Sequence, residues 1–431
     1  MRLSWSEIEQ SYWGRALIWL AFAAALGVAP LLFRSGLAMT ILSQVGYVIV
    51  ICLSYNILFG QGGMLSFGHA VYTGFGALGA MHVMRLAGAD GWSVPLPLIP
   101  IVGGLAGGFV AVLFGYVTTK KSGITFAMIT LGLGELVAAM SLMFPAFFGG
   151  EAGVKADRVY GEPLFGFDFG PQIQVYYLIA AYCVICTAAM YAFTCTPLGR
   201  LLNATRDNPE RVEFIGYSTQ HVRYLAFIIS GFFAGIGGGL AAINFEIINA
   251  ADSLSIAQSG GFLLFTFLGG ASFFVGPIIG GAMLVLASVL LSDLTKAWLL
   301  YIGLFFVLMV MFVPGGVASL IAANIAIVRS GKASRLAVSY VGLAVAAIAT
   351  MAGLSTLIEM IYHAQFNMAQ GSVMRFLGMT IDTRQQMAWI VAGLYTVIAG
   401  GLFVLVCRRF LAGWEQIQEE MEAAQAVEVR P

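Results

Sequence analysis

Charged residues are scarce in this chain. Only 10% of its 431 residues are Asp, Glu, Lys or Arg, against about 25% in ordinary soluble chains. A soluble domain of this size could not cover its core with so few charges. The 21 basic and 21 acidic residues cancel, so no net positive field points to nucleic acid. Cysteine is rare as well. Cys52, Cys183, Cys186, Cys195 and Cys407 all fall within or at the edges of apolar runs. Cys183 and Cys186 spell C-x-x-C, but with no second pair to complete a zinc set, so the five read as small packing hydrophobes. No nucleophile–base set or metal cluster stands out. The only Gly-Lys pair, Gly331–Lys332, is followed by Ala333 and lacks the Gly five positions earlier that a phosphate loop needs. A cleavable signal peptide is also missing: the N-terminus mixes Arg2 and Arg15 with Glu7 and Glu9, and the apolar run from Ala16 reads as an uncleaved span.

What the chain has in abundance is hydrophobic length. Sixty per cent of its residues are hydrophobic and mean hydropathy is +0.90, the composition of an integral membrane protein. Spans of about 20 apolar residues are expected at 16–33, 37–59, 68–85, 96–118, 124–145, 175–193, 224–245, 297–313, 337–358 and 387–407. The stretch 258–292 is too long for one crossing and is interrupted by GGASFFVGPIIGG (269–281). It reads as a short helix, a Gly/Pro break and a second helix, which makes an all-α polytopic protein of about 12 transmembrane helices. With the N-terminus cytoplasmic, fourteen of the 21 lysines and arginines lie inside, as the positive-inside rule requires. Both termini are then cytoplasmic. The segment 146–174, with Glu151, Asp157, Glu162 and Asp168, becomes a long external loop, and the acidic tail 414–431 a short internal helix.

Glycine is the second excess, with 53 residues. The stretch SYNILFGQGGMLSFGHAVYTGFGALGA (54–80) carries seven of them, although Gly costs about 1 kcal/mol per helix-interior position relative to Ala. Close helix contact, a broken helix or a polar path would offset that cost. Polar groups inside spans are candidates for a path. Asn56 either caps carbonyls freed by the break or meets substrate. His69 is either held by a neighbour such as Ser66 or exposed to the path. Glu135, between Gly132, Gly134 and an apolar run, is either a cavity carboxylate or a packing group. Glu246 reads as a water-facing mouth residue.

The most informative polar segment is TPLGRLLNATRDNPERVEFIGYSTQHVRY (196–224). Asn208 is a helix N-cap and Pro209 suits the first helical position. Glu210 lies in the first turn, where the helix dipole favours a carboxylate, and Gly216 supplies a left-handed stop. The expected product is a two-turn helix over 209–215, with Val212, Phe214 and Ile215 as exposed apolar residues flanked by Arg206, Arg211 and Glu213. Such a helix either docks into another protein or lies on the lipid surface.

Four stretches in order carry a family resemblance. They are the core Asn56, Gly60, Gly63, Ser66, Gly68, His69, Ala70; the loop and following helix 198–240; FLGGASFFVGPIIGGAML (267–284); and VPGGV (313–317). Together they resemble the M-type permease subunit of the bacterial branched-chain amino acid (Leu/Ile/Val) ABC importer family, over about residues 37–320. The resemblance implies a non-enzymatic transport subunit in the bacterial inner membrane that binds no cofactor itself, ATP being used by partner subunits. It implies ATPase subunits docked on Arg206, Asn208, Pro209, Glu210, Arg211, Val212, Phe214, Ile215 and Gly216, a second related permease as heterodimer partner, and a periplasmic solute-binding protein. Branched-chain amino acids are the first substrate expectation. Urea, short amides and aromatic acids are served by the same family, and an ion-coupled secondary transporter is the rival class. The organisation implied is an N-terminal segment and first span (1–36), a ten-helix permease core (37–320) with its coupling loop at 196–223, and an extension (321–431) that adds two spans the family usually lacks.

Overall fold

The computed structural model describes residues 12–90, 94–160, 168–295, 297–313, 315–329, 333–366, 372–376 and 379–428. Glu7, Glu9, Glu162, Pro314 and the Gly331–Lys332 pair, all invoked above, lie outside these residues. The described chain is almost entirely helical. Two antiparallel strand pairs complete it, Val154–Lys155 with Ile247–Ile248 and Val373–Phe376 with Met379–Asp382.

Among the described residues seven helices are long and apolar enough to cross a membrane, or eight with the bent pair Trp298–Phe312 and Gly316–Ile325 taken as one span. The protein is therefore an all-α polytopic membrane protein. The number falls below the twelve crossings expected because His69–Asp90, though 22 residues long, is diluted by glycines, two histidines and Arg85, and because three elements are shorter apolar helices. Ile18–Leu32, Ile256–Gly269 and Gly276–Leu291 are of this kind.

The chain forms two compact units. The first comprises the described residues up to Asp293 together with Phe305–Ser319, and the second comprises Leu294–Leu304 and those from Leu320 onward. At the centre of the first unit lies the helix Thr219–Phe245, with 72% of its most apolar stretch buried. Glycines let His69–Asp90 and Ile99–Thr118 approach it backbone to backbone. A Cβ on Gly103 would stand 2.7 Å from Gly235 O, and one on Gly107 2.7 Å from Gly231 O. Any larger residue there would push the helices apart, so dispersion contact between backbones repays the glycine cost.

The stretch 258–292 folds as its Gly/Pro pattern indicates. Ile256–Gly269 ends at Gly270 (φ +113), and Gly276–Leu286 restarts with Pro277 in its first turn.

The second unit pairs two long helices, Ala333–Phe366 and Gln386–Glu428, through the 373–382 hairpin. Gly353 admits the partner helix, since a Cβ there would meet Tyr395 Cδ1 at 3.0 Å. Glu359 accepts hydrogen bonds from Thr295 and, at 3.4 Å, from Tyr301. Gln386–Glu428 continues well past the expected span at 387–407, so the acidic tail is an extension of the same helix.

Candidate functional site: a coupling segment tied to a helix break

The segment 196–218 is built from local capping. Thr196 Oγ1 accepts from Gly199 N at 3.2 Å and starts the helix Pro197–Asp207. Asn208 then leaves helical geometry and accepts from Arg211 N at 3.1 Å, opening the short helix Pro209–Phe214 with Glu210 in its first turn. Gly216 (φ +90) ends it, and Tyr217 N returns to Val212 O at 3.2 Å. Glu213 accepts from Thr219 Oγ1 at 2.8 Å, which ties the short helix to the start of the central one. Phe214 is 87% exposed and Ile215 65%, as expected. Val212 is not: it is 1% exposed, because it occupies the inner face of this helix and packs into the core. Val212 therefore does not belong to the exposed apolar set expected of this helix.

Arg206, 39% exposed, also reaches back into the chain. Its Nη1 donates to Gly60 O at 2.5 Å and its Nε to Asp207 Oδ1 at 3.0 Å. Asn203, which sequence reasoning passed over, donates to Gln61 Oε1 at 2.7 Å.

Gly60 and Gln61 close a π-helical turn, Ile57–Gln61, at the end of the helix Gly36–Asn56. The chain then breaks through Gly63 (φ +64) and re-enters helix at His69. This is the broken helix that the glycines of 54–80 suggested. The returning backbone is held by side chains from three helices. Phe67 N donates to Thr130 Oγ1 at 3.2 Å, Ala70 N to Ser259 Oγ at 2.9 Å, and Tyr55 Oη to Ser66 O at 3.0 Å.

His69 is fully buried beside Tyr55, with ring centroids 4.9 Å apart. It pairs with Ser54 Oγ at 2.9 Å rather than with Ser66. The Ser54 hydroxyl proton goes to Ile51 O at 2.7 Å, so His69 Nε2–H is the donor and Nδ1 is the bare nitrogen. Ser230 Oγ donates to Ser54 O at 2.6 Å and joins the central helix to this cluster. His69 Nδ1, Ser66 Oγ and Asn56 Oδ1 have no hydrogen-bond partner among the described residues. The carbonyl cap expected of Asn56 is not among its contacts.

At the opposite end of the first unit a cavity of about 390 Å3 opens between Tyr47, Thr73, Phe245, Asn249, Asp252 and Phe262. Among the described residues Asp252 is the one charged side chain on its wall. Asn56, Ser66, His69, Glu135 and Glu246 all lie outside the lining. Below it Gly238 packs directly on Thr73 O, so the two helices close the floor. Glu246 stands next to the rim in a left-handed conformation (φ +57), accepting from Arg158 N at 3.0 Å. Glu135 is exposed on Gly123–Met143, one turn from Gly132, which faces open space. It faces outward from the unit. Among the described residues no group of three or more His, Cys, Asp or Glu could hold a metal.

The family model described as "Branched-chain amino acid transport system / permease component" matches residues 37–321. The chain is 27% identical over 335 residues to the high-affinity branched-chain amino acid transport system permease protein LivM of Salmonella typhimurium, covering 72% of this chain and 75% of the relative. It is 26% identical over 292 residues to LivM of Escherichia coli, covering 62% and 67%. A segment of 97 residues is 29% identical to the probable branched-chain amino acid transport permease protein LivH of Methanocaldococcus jannaschii, covering 22% of this chain and 30% of that one. No solved structure matches the chain at a significant level.

Proposed function

The chain belongs to the family of permease components of branched-chain amino acid transport systems, and from that premise we propose how it works. It is the transmembrane subunit of an ATP-driven importer in a bacterial inner membrane, moving branched-chain amino acids or related small carboxylic solutes into the cytoplasm. The observation that carries the ATP-driven reading is the exposure of Phe214 and Ile215 on a helix fixed at both ends by caps. Rigidly mounted apolar anchors outside the spans call for a protein surface. ATPase subunits dock there, on the cytoplasmic side, and the chain itself binds no nucleotide.

The remaining assignments follow from that orientation. The N- and C-termini are cytoplasmic, and the chain crosses twelve times, ten within a 37–320 core and two in the 321–431 extension. The cavity at the opposite end faces the periplasm and receives solute from a binding protein. Its size falls within the usual range for small-molecule sites, about 300–1,000 Å3. Apolar walls from Tyr47, Phe245 and Phe262 suit an aliphatic side chain, and Asp252 suits an ammonium group. A second, related permease covers the Gly123–Met143 face that carries Glu135. A carboxylate near the centre of a span costs about 2.5–3.5 kcal/mol or more against lipid.

The test is uptake of labelled leucine into proteoliposomes holding this chain, its partner permease, the ATPase subunits and the binding protein. Vanadate-sensitive, ATP-dependent uptake is expected. Uptake that persists without any ATPase subunit would make the protein an ion-coupled carrier. Titrating the binding protein with leucine, urea, short amides and aromatic acids separates the substrate classes.

A further inference from the structure

Two side chains of the Pro197–Asp207 helix reach out of the coupling segment and hold the end of the broken helix. Arg206 Nη1 donates to Gly60 O at 2.5 Å and Asn203 Nδ2 to Gln61 Oε1 at 2.7 Å. The carbonyls at a helix end have no intrahelical partner; Arg206 caps one of them, Gly60 O, while Asn203 holds the side chain of Gln61 in the same turn. The contact is also close-packed. A Cβ on Gly63 would stand 2.7 Å from Arg206 Cγ, and one on Gly62 3.1 Å from Leu202 Cδ1. A side chain at Gly62 or Gly63 would force Leu202 or Arg206 to give way. Arg206 could instead have stayed in water, since it sits on a half-exposed surface with 39% side-chain exposure.

The tie lies in a continuous series of contacts. Pro209–Phe214 follows Pro197–Asp207 through the single residue Asn208. Arg206 and Asn203 join that pair of helices to Gly60 and Gln61. Beyond the break, Ser66, Phe67, His69 and Ala70 are bonded to Tyr55, Thr130, Ser54 and Ser259. The segment 62–68 has no helical ladder of its own to resist displacement. Its position is therefore set by what grips it on each side.

We propose that Arg206 and Asn203 are positioning residues that transmit movement of the ATPase-docked helix to the break at 57–68, so that the broken helix moves with the docked subunit. This rests on docking of ATPase subunits at 209–214. Neither side chain touches solute. The tie stays closed throughout the cycle and works as a rigid strut, so removing it separates ATP hydrolysis from transport without removing the ATPase.

The experiment uses the complete assembly in proteoliposomes and records three quantities: ATPase subunit per permease, ATP hydrolysed, and solute taken up per ATP. Arg206→Ala combined with Asn203→Ala is expected to retain ATPase subunits and hydrolysis while solute per ATP falls about tenfold or more, the scale of one lost charge-assisted hydrogen bond and its neighbour. Arg206→Lys, which still offers a cationic donor, is expected to keep most of the wild-type ratio. As a rescue, Asn203→Cys and Gln61→Cys are introduced with Arg206→Ala and Cys195→Ser, and the two thiols are joined by a short reducible crosslinker. Crosslinking is expected to restore solute per ATP, and reduction to abolish it again. An unchanged ratio in the double alanine variant would overturn the proposal. So would loss of ATPase subunits from Arg206→Ala, which would make Arg206 a docking residue, or a crosslink that restores nothing. Absence of ATP-dependent uptake in the unmutated assembly would instead remove the importer reading itself.

Discussion

Ser54 and His69 lie on either side of the helix break, and the 2.9 Å hydrogen bond between Ser54 Oγ and His69 Nε2 closes it. With the Ser54 proton committed to Ile51 O, the histidine acts as donor and its other nitrogen, Nδ1, stays bare. A side chain that offers an N–H at the same reach should therefore substitute. His69→Gln is expected to keep the fold in detergent. His69→Ala should cost about 2–4 kcal/mol, because it leaves a cavity beside Tyr55 and removes the N–H that Ser54 Oγ accepts. Thermal melts of the two purified variants check this. Equal melting temperatures for Ala and wild type would mean that the cluster contributes nothing to closing the break.

Glu135 tests what covers the outer face of the 123–143 helix. It is exposed, and Gly132 beside it faces open space. If a second permease covers this face, Glu135→Leu should reduce recovery of the heterodimer, while Glu135→Gln should leave assembly intact and lower uptake. Pull-down of the tagged partner permease, followed by uptake in proteoliposomes, reads both effects. Normal assembly and uptake with Glu135→Leu would place that face against lipid.

The extension can be removed as a test of the domain division. Deleting residues 330–431 should leave a permease that still assembles, because the family match ends at residue 321. The truncated chain should nevertheless be less stable, by about 1–2 kcal/mol, since Thr295 and Tyr301 lose their Glu359 partner. Size-exclusion chromatography of the complex and a detergent melt give the two readings. Failure to assemble would make the two extra helices part of the core.

What could be read from the sequence was local. Asn208, Pro209 and Gly216 determine a helix through their own backbone preferences, and the Gly/Pro run of 269–281 marks a break in the same way. The Thr196–Pro197 pair carried the same cap-then-proline signal as Asn208–Pro209, and reading it would have separated the 197–207 helix beforehand. Burial and long-range pairing had no such signature. Val212 is not distinguishable from Phe214 in the sequence, because a six-residue helix leaves too few positions to show which face turns inward. Helical spacing offers His69 a partner three residues away at Ser66, but its partner lies across the break at Ser54. The cavity was invisible because its wall comes from several separate stretches of chain, around residues 47–51, 73–77, 238–253 and 258–262. Asn203 and Gln61 are unremarkable residues in the sequence, and only the fold brings them together.

The exposed pair on the coupling helix allows the most direct test of the whole assignment. Phe214 and Ile215 project from a helix whose ends are fixed by Asn208 and Gly216 and whose inner face is anchored by Val212. Buried at an interface, each would contribute about 1–3 kcal/mol. Asn208 only shapes the helix, so Asn208→Ala should cost about 1 kcal/mol locally. The double variant Phe214→Ala with Ile215→Ala is therefore expected to lose ATPase subunits on purification and, with them, solute-stimulated ATP hydrolysis. Asn208→Ala alone should weaken both only mildly. The spans should stay inserted in either case, since no residue within them changes, and a normal yield in the membrane fraction checks that point. The measurement is ATPase subunit per permease in detergent, alongside hydrolysis in proteoliposomes. Wild-type values for both in the double variant would mean that the helix lies on lipid, and the ATP-driven reading would lose the observation that carries it.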